Sequence, residues 1–84
     1  MTDLYEKQDG EMRCFEAQIF NREVRDLLEA GELNDTGFDD TWADSRYISV
    51  WARSMTEAAS FFARDFPTHA GFRIVSIGER GPEM

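Results

Sequence analysis

The sequence predicts a small α+β domain, a three-stranded sheet with one main helix packed on one face and a second, short helix. Three observations carry that expectation. The chain has 84 residues, 42% of them hydrophobic, with seven Phe, two Trp and two Tyr. Folding at this length removes only about 60–65% of the unfolded chain's surface from water, so these aromatic residues supply one modest core. Next, Arg46-Tyr-Ile-Ser-Val-Trp-Ala-Arg53 alternates Ile48, Val50 and Ala52 with Tyr47, Ser49 and Trp51, the period of a strand covered on one side. Finally, Ser54-Met-Thr-Glu57 matches a capping box, in which the Ser hydroxyl accepts from an orphan backbone N–H and the Glu reaches back to the cap.

Taken in chain order, residues 1–11 are expected to fray. Met12-Arg-Cys-Phe-Glu-Ala-Gln-Ile-Phe20 places Phe15, Ala17 and Ile19 on one side of a strand, the preferred assignment, although Met12, Phe15 and Ile19 also fit one side of a helix. Asn21 is a good helix cap, Val24, Leu27 and Leu28 form a short apolar face, and Gly31 supplies a stop, so residues 22–30 form the short helix. Residues 32–45, with Gly37 and four Asp, read as a long loop. After the strand at 46–53, the main helix runs over 54–66 on the stripe Met55, Ala58, Ala59, Phe62 and Phe66. Pro67 ends it, because the residue before proline disfavours helical dihedrals. Phe72-Arg-Ile-Val-Ser-Ile-Gly78 is the last strand, with β-branched residues on both faces, and residues 79–84 fray. The helix between the last two strands leaves room for a parallel crossover, and antiparallel pairing with the first strand is equally open. No repeat, linker or low-complexity tract divides the chain, so residues 1–84 read as a single domain.

Charge is unevenly spread. Of the formal net charge of -8, the segment from Asp3 to Asp44 carries thirteen acidic and four basic residues, whereas Arg46 to Met84 carries four acidic and five basic. From Glu29 to Asp44 there is no Lys or Arg at all. Phosphate backbones and anionic lipid are bound through Lys and Arg, so direct nucleic-acid or membrane-surface binding is not expected, and the partner should be basic. The run Glu32, Asp35, Asp39, Asp40, Asp44 reads either as a solvated loop or as a docking loop that offers carboxylates where a partner expects phosphates. Trp42, set among these carboxylates, is either an exposed anchor of that interface or a pin holding the loop to the core. A single Cys and the absence of a basic-then-apolar start suit a reducing, cytoplasmic setting, and no apolar run approaches the ~20 residues of a membrane span.

Catalytic signals are sparse. Cys14 and His69 are the only residues of their kinds, so a Cys–His nucleophile pair needs the fold to bring them together, and an N/S zinc site lacks ligands. Asn34-Asp-Thr-Gly-Phe-Asp-Asp40 offers oxygen ligands but breaks the EF-hand spacing. The expectation is therefore a non-enzymatic protein without cofactor or metal.

Two resemblances bear on function. Asn21-Arg-Glu-Val-Arg-Asp-Leu-Leu-Glu-Ala-Gly-Glu-Leu33 looks like the opening helix and turn of excisionase-type or MerR-type winged helix-turn-helix domains, which implies a DNA-binding or regulatory role. In that family a basic recognition helix follows, whereas here Asp35, Asp39, Asp40 and Asp44 follow. Size, acidity and α+β build are similar to anti-CRISPR proteins, phage inhibitors that present acidic surfaces to nucleic-acid-binding targets. That similarity is one of type, without a shared motif. It implies an inhibitor docking its acidic region on a basic, nucleic-acid-binding protein surface.

Overall fold

A computed structural model describes residues 11–80. Five regular elements and two 3-10 turns follow in order: β1 (Arg13–Asn21), α1 (Arg22–Glu29), a 3-10 turn (Asp40–Ala43), β2 (Arg46–Ala52), α2 (Met55–Asp65), a second 3-10 turn (Thr68–Ala70) and β3 (Phe72–Glu79). The fold class and the five regular elements agree with the sequence, whereas the two 3-10 turns fall in segments read as loop. The expected fraying of residues 1–10 and 81–84 lies outside the described residues. Glu79 and Arg80, placed in the frayed end by the sequence, are ordered: β3 continues to Glu79, and the Arg80 N–H donates to the Cys14 carbonyl at 2.9 Å.

The strand order is β2-β1-β3, with both neighbours antiparallel to β1. Hence β2 and β3 run parallel but do not touch, and α2 carries the chain across the central strand. Of the two pairing schemes left open by the sequence, antiparallel pairing with the first strand is the one found, and the room for a crossover after β2 is used to span β1 and not to pair β2 with β3. Burial alternates along β1, with Phe15, Ala17 and Ile19 buried and Cys14, Glu16 and Gln18 half-buried, while Met12 stays exposed. Period two therefore wins over the helical alternative in this segment.

Register builds the core. Phe15 lies opposite Val50 and Ala17 opposite Ile48, while on the other side Ala17 faces Ile77 and Ile19 faces Ile74. Gln18 pairs with Ser76 and Ile19 with Ile74, so Val75 is left without a partner and bulges. That bulge explains why β3 carries β-branched residues on both faces: Val75 is 55% exposed. The helix α2 covers the inner face. Ser54 accepts from the Glu57 N–H at 3.1 Å, and Glu57 reaches back to the Arg53 N–H at 2.7 Å, one residue before the cap. Its buried stripe is Ala58 and Phe62, with Phe66 half-buried and Met55 at the exposed rim. Phe15, Ala17, Ile19, Ala52, Ala58, Phe62 and Phe72 form one continuous core.

Candidate functional site

The segment that joins α1 to β2 holds most of the sequence-predicted site, and its path is set at both ends. At the start, Asn21 is completely buried. Its Oδ1 accepts from the Val24 N–H at 3.0 Å as the cap of α1, and its Nδ2 donates to the Ala70 carbonyl at 3.1 Å. At the end of α1, Gly31 takes φ +73, the Gly31 N–H donates to Leu28 and the Glu32 N–H to Leu27, at 3.1 and 2.8 Å. This is a Schellman stop, which turns the chain sharply out of the helix. Glu32 and the residues after it leave α1 in a fixed direction.

The loop itself is braced from within. The Asn34 side chain donates to the Phe38 carbonyl and to Asp40 Oδ1, each at 2.7 Å, while its Oδ1 accepts from the Thr36 N–H and hydroxyl. Asp39 caps the 3-10 turn by accepting from the Thr41 N–H at 3.1 Å and the Thr41 hydroxyl at 2.5 Å. The hydroxyl bond, then the N–H bond, hold the Asp39 carboxyl below its ordinary pKa against the opposing desolvation, and the charge of Arg46 adds the smallest share. From outside, Arg25 donates to the Ala43 carbonyl at 2.7 Å while its guanidinium lies 3.7 Å from the centre of the Phe20 ring.

Two aromatic side chains pin the loop. Phe72 is the hub: Phe38, Trp42 and Phe66 approach its ring with centroids 4.9, 5.2 and 5.4 Å away, all edge-on. Trp42 also meets Phe66 at 5.6 Å and carries the Arg46 guanidinium on its ring at 4.3 Å. Of the two roles the sequence left open for Trp42, the structure assigns the pin. Trp42 is half-buried and packed against the core. The other predicted residues, Glu32, Asp35, Asp39, Asp40 and Asp44, are all exposed. They lie on one continuous stretch of loop, and neither of the two ion pairs found among the described residues, Arg13–Glu79 and Arg64–Asp65, involves them.

Sequence reasoning missed one candidate here. Leu33 is 84% exposed between Glu32 and Asn34, the most exposed large apolar side chain among the described residues. The signal available was its setting, a single apolar residue among Glu32, Asn34 and Asp35 and outside the stripe of either helix. Leu33 and the partly exposed Leu28 are the exposed large apolar side chains at the start of the acidic segment.

The remaining candidates separate in space. Cys14 sits at the start of β1 opposite Trp51, whereas His69 is in the turn beside Asn21 at the far end of the same strand. Seven residues of strand put them about 20 Å apart, so they do not form a nucleophile pair. No group of three His, Cys, Asp or Glu among the described residues is arranged to hold a metal ion. After α1 the chain enters the acidic loop and a 3-10 turn, without the second α-helix that a helix-turn-helix requires. On the open sheet face, a shallow depression of about 320 Å³ is bordered by Glu16, Gln18, Tyr47 and Ser76, with Gly78 leaving its floor bare. No described helix is long and apolar enough to cross a membrane. No family model, curated protein or solved structure matches the chain.

Proposed function

We propose that the chain is a non-enzymatic binding protein whose loop from Glu32 to Asp44 docks on a basic surface of a partner protein in the cytoplasm. The observation that carries this reading is the combination of order and unbalanced charge in one loop. The loop that bears the five exposed carboxylates is braced by Asn34, by the Asp39 cap and by the Phe38 and Trp42 pins, and neither ion pair among the described residues involves them. A charged loop fixed before binding loses little entropy on association, and its field steers a cationic partner toward it. Leu33 supplies the apolar centre that such a contact uses to exclude water. In its sharper form the partner is a nucleic-acid-binding protein, and the loop takes the place of phosphates in its groove, in the manner of the anti-CRISPR proteins that the chain resembles in type. The helix-turn-helix alternative receives no support from the segment after α1.

The test uses the chain as bait in a nuclease-treated bacterial lysate, compared with the variant Asp35→Asn/Asp39→Asn/Asp40→Asn/Asp44→Asn. The four amides keep side-chain size, and at Asp39 and Asp40 they keep an oxygen that can accept from Thr41 and Asn34, so the melting temperature should stay within a few degrees. Basic proteins retained by the wild type should be lost from the variant and from wild type washed at high salt. Leu33→Ser should weaken the same captures by roughly tenfold without changing stability. An identical set of proteins on wild type and fourfold variant would remove the docking loop from consideration.

A further inference from the structure

The sheet has two free edges, and the sequence treats them differently. β3 carries the usual protections against pairing with another chain: the Val75 bulge, the charged Arg73 and Glu79, and a glycine at Gly78. The outer edge of β2, Arg46–Ala52, has no proline, carboxylate or bulge over seven residues, and its one charged side chain, Arg46, stands at its first position. Among the described residues no strand pairs with it. It also bears two large exposed aromatic side chains, Tyr47 at 65% and Trp51 at 62%.

From this edge we propose that β2 pairs antiparallel with β2 of a second copy of the chain, joining the two sheets into one of six strands. The strand is self-complementary about Ser49. With the two-fold axis at that residue, Tyr47 of each copy lies opposite Trp51 of the other on the open face. On the inner face Ile48 lies opposite Val50. Aromatic and β-branched cross-strand pairs of this kind are the units that stabilise sheets. Only a register centred on a residue keeps inner faces together, and the one centred on Ser49 pairs all seven positions.

Charge favours the same approach. In a chain of net charge -8, the stretch from Arg46 to Thr56 contains two Arg and no acidic residue, so two copies meet through the part of the molecule that repels least. Continued past the strand ends, the register sets Asp44 opposite Ser54 of the other copy, at the N-terminus of its eleven-residue α2, where a carboxylate is favoured. A dimer of two anionic chains should tighten as salt rises, opposite to docking of the acidic loop on a basic partner.

Sedimentation of the full chain should therefore show a monomer–dimer equilibrium that shifts toward dimer with concentration and with added salt. In a Cys14→Ala background, Ser49→Cys should cross-link into a covalent dimer under mild oxidation, because the two thiols face each other across the axis at Cα separations of about 4.5–5.5 Å. Ser76→Cys in the same background, on the opposite edge strand, should remain monomeric on reducing-free gels. Tyr47→Lys/Trp51→Lys should abolish the dimer while leaving the circular dichroism spectrum and melting temperature unchanged, both side chains being exposed. A chain that sediments as a monomer at every concentration and salt, or cross-links as readily through Ser76→Cys as through Ser49→Cys, would overturn the pairing. The first of these results would leave the β2 edge to an extended segment of a different protein.

Discussion

Phe62→Ala is expected to leave the protein largely unfolded at 37 °C. Phe62 is completely buried on the inner stripe of α2 and is, with Phe15, one of the two largest fully buried side chains among the described residues. Truncating a buried Phe removes the transfer free energy of the ring and leaves a cavity that a small sheet with one covering helix cannot close, for a cost of about 3–5 kcal/mol. A domain of this size has about 5–8 kcal/mol in total, so the loss takes most of it. Urea unfolding followed by circular dichroism should show the midpoint collapsing, whereas Met55→Ala, at the 43% exposed rim of the same helix, should change stability by less than about 1 kcal/mol. A barely destabilised Phe62→Ala would mean that α2 packs on a different face.

Gly71→Ala should cost about 3 kcal/mol, and the reason lies fifty residues away in the chain. Gly71 takes φ +100, a conformation that a side chain strains, and a Cβ there would stand 2.7 Å from Asn21 Oδ1. Asn21 cannot yield without giving up its cap on Val24 or its bond to Ala70, both inside the protein. The same joint is closed by the Arg22 N–H donating to the Gly71 carbonyl at 2.7 Å. Backbone strain and a lost buried hydrogen bond each contribute about 1–2 kcal/mol. Gly37 is the internal control: its φ is +90 but nothing lies within 4 Å of its Cβ position, so Gly37→Ala should show the strain alone. In a double-mutant cycle, Asn21→Ala and Gly71→Ala should be less than additive, because removing the Asn side chain also removes the clash. Full additivity would show that the two residues do not meet.

These two sites mark where sequence reading succeeds and where it stops. The cap at Ser54, the stop at Gly31 and the α2 stripe are local patterns, with their partners within a few residues, and each is found where the sequence placed it. Asn21 was legible as a cap for the same reason. Its bond to Ala70 was not, since 49 residues separate them and only the closed sheet brings them together. Strand order failed likewise: inserting β1 between β2 and β3 depends on which strands share register, and periodicity along one strand does not encode its neighbour. In the loop, the positions of the carboxylates could be read as exposed from composition. Trp42 could not be assigned, because the hub on which it rests, Phe72, is supplied by a distant strand. Leu33 was overlooked because it belongs to no apolar stripe, and its exposure depends on the path the chain takes after the Gly31 stop.

Whether the loop from Glu32 to Asp44 is the surface that meets a cationic partner is tested most directly by amide-resolved NMR. Titrating ¹⁵N-labelled protein with a deca-arginine peptide at low salt should shift amides of residues 32–45 first and most strongly. The shifts should fade as salt is added, and they should vanish in the variant Asp35→Asn/Asp39→Asn/Asp40→Asn/Asp44→Asn. Shifts spread evenly over the described surface, or an undiminished response in the fourfold variant, would contradict the account.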